Sequence, residues 1–147
     1  MRAVLQRVQK AEVKVDGDSV ARIGPGILAL VGISRDDTES DLQWIARKIA
    51  DLRIFNDNEA KLNLSLRDTH GELLVVSQFT LYGDCRKGRR PSYTDAAPPA
   101  QAETMYKEFL DIMRQIIPEL QTGKFQAMMD VSLINDGPVT LILDSRQ

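Results

Sequence analysis

One continuous apolar run, Ile27-Leu28-Ala29-Leu30-Val31-Gly32-Ile33, constrains the fold more than any other segment of the chain. It follows Gly24-Pro25-Gly26, a combination of residues that is typical of a turn. A short run without a polar position predicts a strand that is buried on both faces. Such a strand needs packing partners on both sides of its sheet.

Further strands are predicted on either side of this run. Residues 11–15 alternate apolar and charged side chains, which predicts a half-exposed strand, and Asp16-Gly17 then provides a hairpin turn. Residues 73–76 form a second buried strand, and residues 131–134 and 139–143 are predicted as two more.

Two helices are predicted to pack on these strands. The first is capped by Thr38 with Asp41, and its apolar face consists of Leu42, Ile45, Ile49 and Leu52. The second begins near Pro98-Pro99 and ends at Pro118, and its apolar stripe consists of Ala102, Met105, Tyr106, Phe109, Ile112, Met113 and Ile116. This pattern predicts a single α+β domain over residues 1–147, because the helices do not alternate regularly with the strands.

The composition limits the possible functions. Apolar residues make up 43% of the 147 residues and charged residues 27%, which is ordinary for a globular protein and excludes wholesale disorder. Proteins that coat nucleic acid non-specifically are usually basic, so at a net charge of −2 a nucleic-acid role needs a local basic patch. The sequence shows no signal peptide and no membrane span, and a cytoplasmic setting is expected.

The side chains available for catalysis are few. The single cysteine, Cys85, excludes an intramolecular disulfide and a Cys-based zinc cluster. The single histidine, His70, lies in a predicted turn, and a Ser-His-Asp triad would have to be built around it. The acidic residues show no metal-ligand spacing, so neither a metal nor a cofactor is expected.

Polar side chains follow the buried strand 73–76 in the segment Ser77-Gln78-Phe79-Thr80-Leu81-Tyr82. Burying an unpartnered hydroxyl or amide costs about 1–3 kcal/mol, so these groups need partners. In one interpretation, Ser77 and Thr80 satisfy backbone groups at the strand end. In the other, the segment is the floor of a pocket in which side chains and backbone N–H groups meet a polar substrate.

Two further segments leave alternatives open. Asn135-Asp136-Gly137-Pro138-Val139-Thr140 lies between two apolar stretches, and its residue types are typical of a plain turn. Arg86-Lys87-Gly88-Arg89-Arg90 places four positive charges in five residues and is either a solvated loop or a phosphate-binding loop.

In their order and spacing, these segments resemble the bacterial-type D-aminoacyl-tRNA deacylases over almost the whole chain. The resemblance also includes residues 1–8, 52–55, 61–64 and 87–92. One departure is Gln126-Ala127-Met128-Met129, where the family typically has an acidic residue or a glycine before the methionine.

The resemblance implies a homodimer with a barrel-like core of antiparallel and mixed β-sheet and with active sites at the subunit interface. It implies hydrolysis of the ester that joins a D-amino acid to the terminal adenosine of tRNA. The catalytic segment would be Ser77, Gln78, Phe79 and Thr80, and the tRNA-binding residues would be Arg86, Lys87, Arg89 and Arg90.

The resemblance also assigns roles in substrate selection. It implies that Gly137-Pro138 is a cis dipeptide that enters the pocket of the partner subunit, where its carbonyl oxygens reject L-amino acids. Arg7 would support that dipeptide, and Met129 would lie near the adenosine.

The residues of the two motifs limit the mechanisms by which an ester could be hydrolysed. No histidine lies near either motif, which argues against general-base activation of Ser77 or Thr80 and leaves a backbone oxyanion hole at Phe79-Thr80. The family is understood to use the 2′-hydroxyl of the terminal ribose of the tRNA. The alternatives are an esterase with Thr80 as nucleophile and a non-catalytic dimeric module that binds RNA or nucleotides through residues 86–90.

Overall fold

The first strand organises the sheet. The computed structural model describes residues 1–147. In it, β1 (Arg2–Val15) pairs antiparallel with the last strand, β8 (Asp130–Asp144), along almost its whole length. On its other edge, the first half of β1 pairs with β3 (Gly26–Gly32) and the second half with β2 (Asp18–Ile23).

The remaining strands extend and curl this sheet. β6 (Glu72–Ser77) pairs parallel with β3, and β7 (Gln121–Thr122) pairs parallel with β6. Because β2 also approaches β6 and β7, the sheet is a nearly closed barrel. β4 (Phe55–Asn56) and β5 (Leu62–Leu64) form a separate two-stranded hairpin. The predicted α+β class with a barrel-like mixed sheet is confirmed.

Three helices accompany the sheet, one more than predicted. They are α1 (Glu39–Asp51), α2 (Leu66–Thr69) and α3 (Pro99–Ile116). The short α2 was not predicted; it overlaps the turn expected at residues 68–71, and a capping box between Ser65 and Asp68 starts it. None of the helices has both the length and the apolar composition needed to cross a membrane.

The apolar run at 27–33 is buried on both faces, as predicted. Ile27, Ala29 and Val31 belong to the core between the sheet and the helices. Leu28 belongs to a second core inside the barrel, together with Val8. The sheet therefore carries one apolar layer on each side, and its strand ends reach the surface.

The end of the chain differs from the prediction. Residues 131–134 and 139–143 are parts of one strand, β8, because both pair with β1. Residues 135–138 are not a hairpin turn but lie within β8 where the register shifts. Two strands joined by a tight turn would pair with each other, whereas the long β1 accepts both halves along one edge.

Candidate functional site

An apolar groove of about 860 Å³ lies at the carboxyl end of β6. Its floor consists of Val76, Ser77, Gln78 and Phe79. The start of α3 forms one wall, and the segment that leads from β7 to β8, including Met129, forms another. The groove therefore lies between the end of a buried strand and the flexible side chain of Met129. Such an arrangement suits a partly apolar ligand.

A short 3₁₀ helix, Phe79–Tyr82, turns the chain away from this strand end. The Gln78 N–H donates to the Val31 carbonyl at 2.7 Å, which anchors the entry to the turn on β3. Since the first hydrogen bond of the turn is donated by Leu81 to the Gln78 carbonyl, the N–H groups of Phe79 and Thr80 have no partner within it. Two adjacent backbone donors are thus free, one on Phe79, which lines the groove, and one on Thr80, the next residue.

The hydroxyl of Thr80 is held by its neighbour. The side-chain amide of Gln78 donates to Thr80 Oγ1. Thr80 is exposed and does not line the groove, whereas Ser77, Gln78 and Phe79 do. The structure therefore brings three of the four predicted catalytic residues to the groove, and the fourth, Thr80, follows directly after them in the chain.

An aromatic pair stands at the rim of the groove. The rings of Phe79 and Tyr93 meet edge to face with centroids 5.1 Å apart. Both rings line the groove and are exposed, at 55% and 39% of their surface. Exposed aromatic rings at a polar site can stack a planar base.

The basic segment 86–90 leaves the groove rim as an exposed loop. An isolated bridge between Asp84 and Ser92 closes the loop. Arg86 donates from two nitrogens to the Asp84 carboxylate, at 2.9 and 2.8 Å, and these hydrogen bonds lower the pKa of Asp84 to about 2. Lys87, Arg89 and Arg90 are exposed and make no ion pair, so they are the cations that remain free for phosphate.

The Gly137-Pro138 dipeptide lies within β8, and the peptide bond between the two residues is cis. Both residues are exposed, and neither lines the groove of its own chain. The Asn135 side-chain amide donates to the carbonyls of Arg7, at 2.8 Å, and Val139, at 3.1 Å. These contacts hold the backbone on each side of the dipeptide.

Arg7 supports the same segment through charge. Its side chain is buried, and Nε lies 2.8 Å from a carboxylate oxygen of Asp136. That nitrogen makes no hydrogen bond, so the contact is an ion pair. The Nη1 atom of Arg7 donates to the Ile54 carbonyl at 2.6 Å, which fixes the guanidinium from a second side.

Met129 lies at the groove because Gly123 leaves room for it. A Cβ atom added to Gly123 would come within 2.8 Å of the Met129 sulfur. The adjacent Met128 is 89% exposed and also lines the groove, although it was not predicted as a site residue. Tyr93 was not predicted as a site residue either, although an aromatic residue close to a basic cluster is a signal for nucleic-acid binding.

The groove is lined by no acidic or basic side chain other than the phenol of Tyr93. None of its lining residues is His, Cys, Asp, Glu, Lys or Arg. His70 lines a different cavity, together with Arg22 and Glu72. No cluster of three His, Cys, Asp or Glu side chains is placed to hold a metal ion. The groove of one chain therefore offers backbone dipoles, hydroxyls and amides.

Comparison with known proteins gives a consistent result. A family model described as D-Tyr-tRNA(Tyr) deacylase matches residues 4–144. A protein of Thermosipho africanus named D-aminoacyl-tRNA deacylase is 55% identical over 147 residues, which is 100% of this chain and 99% of the relative. A protein of Desulfatibacillum aliphaticivorans with the same name is 57% identical over 146 residues, which is 99% of this chain and 100% of the relative.

A solved structure described as c-Myc DNA Unwinding Element Binding Protein has the same fold. It superposes with a TM-score of 0.93 at 44% sequence identity and covers 98% of each chain.

Proposed function

The chain belongs to the D-Tyr-tRNA(Tyr) deacylase family and is a D-aminoacyl-tRNA deacylase, and we propose that the ester is cleaved in the groove at the end of β6. The observation that carries this placement is the pair of free N–H groups at Phe79 and Thr80. Backbone donors at a groove that lacks histidine, carboxylate, lysine and arginine side chains can stabilise the oxyanion of an acyl-transfer transition state.

These two N–H groups form the oxyanion hole of the proposed mechanism. Addition of water to the ester carbonyl places negative charge on the carbonyl oxygen, and fixed donors stabilise this charge without reorganising. Loss of one such donor typically costs a factor on the order of 10²–10³ in rate. Ser77 and Gln78 complete the catalytic segment by lining the floor beside the reacting carbonyl.

The base is supplied by the substrate. The absence of histidine and carboxylate from the lining supports a role for the 2′-hydroxyl of the terminal ribose, which accepts a proton from the attacking water and relays a proton to the 3′-oxygen. The bond between the acyl carbon and the ribose 3′-oxygen then breaks, and the 3′-oxygen leaves with a proton. An aminoacyl ester is already reactive, so this modest assistance suffices.

The terminal adenosine of the tRNA occupies the apolar part of the groove. Met129 packs against it, and the exposed aromatic pair of Phe79 and Tyr93 offers a ring surface for the adenine. Lys87, Arg89 and Arg90 contact backbone phosphates of the tRNA, whereas Arg86 mainly holds the loop through Asp84.

The active form is a homodimer in which each groove receives Gly137-Pro138 from the partner subunit. In a single chain, this dipeptide is exposed and outside the groove, although Arg7, Asp136 and Asn135 fix the backbone around it. A rigid, exposed segment of this kind fits a role in a neighbouring copy. There, its carbonyl oxygens face the substrate α-carbon and exclude the β-carbon of an L-amino acid.

We also propose that residues 1–147 act as one domain in the cytoplasm, where charged tRNA is used and a free Cys85 stays reduced.

The decisive experiment compares D-tyrosyl-tRNA with L-tyrosyl-tRNA and follows the ester bond. We expect hydrolysis of the D-ester and negligible hydrolysis of the L-ester. A non-catalytic nucleic-acid-binding module, favoured by the description of the neighbour with 44% identity, would bind tRNA without turnover. An esterase with Thr80 as nucleophile would cleave small esters without a ribose and form a covalent acyl-enzyme.

A further inference from the structure

The side chain of Arg2 reaches from the first strand to the 3₁₀ turn 79–82. Its Nη1 atom donates to the Leu81 carbonyl at 3.2 Å, and its guanidinium carbon lies 4.7 Å from the centre of the Tyr82 ring. Its Nε atom donates to the Asp144 carboxylate at 2.8 Å. One guanidinium therefore joins the turn to the last residue of β8.

The backbone of Arg2 is held firmly by its neighbours. Arg2 pairs with Asp144 across β1 and β8 and with Gly32 across β1 and β3. The preceding residue, Met1, is fully buried, and its ammonium group donates to Asp37 and to Ser145. The Arg2 side chain thus starts from a rigid point, although 42% of its own surface is exposed.

The turn is packed against β3 through Gly32. A Cβ atom at Gly32 would lie 3.0 Å from the Gln78 carbonyl oxygen and 3.3 Å from Cδ2 of Tyr82, closer than ordinary contact allows. The turn therefore lies directly on β3, while Arg2 binds the Leu81 carbonyl. Together these contacts leave little freedom for the N–H groups of Phe79 and Thr80.

We propose that Arg2 is a positioning residue for deacylation, which fixes these two N–H groups through the Leu81 carbonyl and the Tyr82 ring. This inference rests on the proposed function of the groove. Oxyanion stabilisation depends on donor positions within a fraction of an ångström, and a displacement of about 1 Å can cost on the order of a hundredfold in rate. Arg2 touches neither the groove lining nor the expected substrate, so its effect is confined to the geometry of the turn.

Only an arginine meets these demands together. Its planar guanidinium presents separate donors to the Asp144 carboxylate and the Leu81 carbonyl while its face covers the Tyr82 ring. A lysine has one compact ammonium group and cannot serve all three contacts at once. Arg2→Lys therefore keeps the positive charge and the pairing of β1, but it no longer positions the N–H groups of Phe79 and Thr80.

The test measures kcat and KM on D-tyrosyl-tRNA for Arg2→Lys, Arg2→Ala and Asp144→Asn. We expect kcat to fall on the order of tenfold or more in the Arg2 variants and less in Asp144→Asn, with KM changed by less than about twofold. The matched control is Arg22→Ala, which removes an exposed arginine that binds Glu12 of β1 at 2.8 Å. It is expected to leave both constants unchanged.

Hydrogen exchange gives a second readout that does not depend on activity. Arg2→Lys should speed the exchange of the Leu81 and Gly83 amides, which bond within the turn, and leave the Gln78 amide unchanged. An unaltered kcat, a change in KM alone, or a lower melting temperature with normal kcat would overturn the inference. If the wild-type protein does not hydrolyse D-tyrosyl-tRNA, the proposed function fails instead, and the exchange data still decide whether Arg2 holds the turn.

Discussion

The buried guanidinium of Arg7 lies 2.8 Å from the carboxylate of Asp136, so a side chain of the first strand holds the backbone immediately before Gly137-Pro138. The carboxylate side chain is 44% exposed, whereas that of Arg7 is 7% exposed. The arginine therefore depends on this partner more than the aspartate does, because an unpaired buried charge is costly.

Asp136→Asn is expected to weaken both stability and stereochemical selection. Removing the negative charge leaves Arg7 with neutral partners, and we expect the free energy of unfolding to fall by about 1–3 kcal/mol. The dipeptide also becomes less rigid, so the rate on L-alanyl-tRNA should rise relative to D-alanyl-tRNA. Urea unfolding and the two hydrolysis rates measure these effects.

The control for this prediction is Asp130→Asn, an exposed residue of the same strand that makes no ion pair. If Asp136→Asn matches Asp130→Asn in stability and in selectivity, the ion pair does not hold the dipeptide.

Thr80→Ala should retain substantial activity. The change removes the hydroxyl that accepts from Gln78 but leaves the backbone N–H in place, and one neutral hydrogen bond contributes about 0.5–1.5 kcal/mol, or about tenfold in rate at most. A D-aminoacyl-tRNA that ends in 2′-deoxyadenosine should be cleaved far more slowly by the wild-type protein. Loss of hydrolysis in Thr80→Ala, together with normal cleavage of the deoxy substrate, would show that Thr80 is the nucleophile.

Neutralising Lys87 and Arg89 together should weaken tRNA binding and flatten its salt dependence. Each lost phosphate contact lowers the slope of log affinity against log salt by about 0.7–0.9, and both side chains are free of ion pairs. Arg86→Ala should have a smaller effect because Asp84 already neutralises Arg86. Binding titrations at several salt concentrations measure the slopes.

The control variant is Lys107→Ala/Arg114→Ala, which removes the same charge from exposed side chains of α3. If both double variants change the slope equally, the loop acts only through net charge and is a solvated surface loop.

Glycyl-tRNA should be cleaved measurably, together with many D-aminoacyl-tRNAs. Exclusion by the carbonyls of Gly137-Pro138 requires a β-carbon on the L side, which glycine lacks. A rigid wall tolerates overpacking poorly, so discrimination against L-alanyl-tRNA should be on the order of a thousandfold. Rates on D-alanyl-, L-alanyl- and glycyl-tRNA at one enzyme concentration test this, and glycyl-tRNA as resistant as L-alanyl-tRNA would exclude a steric filter.

Stability should fall between about pH 4 and pH 2 through Asp41. Burial acts to raise the pKa of this carboxyl, but hydrogen bonds from Ser145 and Thr38 outweigh it and lower the pKa to about 2. Since the unfolded carboxyl has a pKa of about 3.9, its charged form stabilises the fold above that pH, and the contribution is lost as the pH falls toward 2.

Melting temperatures between pH 6 and pH 2 check this expectation. Asp41→Asn should be less stable at pH 6 and should lose less melting temperature on acidification than the wild-type protein. Glu59→Gln, which removes an exposed carboxylate paired only with Lys61, is the control. Parallel curves for Asp41→Asn and the wild-type protein would contradict the assignment.

Local patterns in the sequence predicted much of the fold. The unbroken apolar run at 27–33 specified a strand covered on both faces, and Thr38 with Asp41 specified the start of α1. Such predictions succeed because burial and capping depend on residues that are close in sequence. The same kind of signal at Ser65 and Asp68 would have found α2.

The roles assigned to the site residues stay predictions, but the structure decides which of them lie together. Ser77, Phe79 and Met129 share one groove, whereas Gly137-Pro138 lies outside it. That separation depends on β8 continuing along β1 rather than turning back at residue 135. No local pattern specifies which neighbour a strand will pair with.

The sequence by itself determined the buried strands, the helix that Thr38 caps and the polar segment at the end of β6. Only the tertiary structure decided that Arg2 holds the turn after that strand, that Asp84 neutralises Arg86 and that Arg7 pairs with Asp136. The physical reason is that the spacing of apolar residues along the sequence indicates which residues are buried. The partner of a charged side chain depends instead on which strands pair and in which register. Arg2 and Asp144 face each other only because the first and last strands of the chain pair antiparallel, with these two residues as partners.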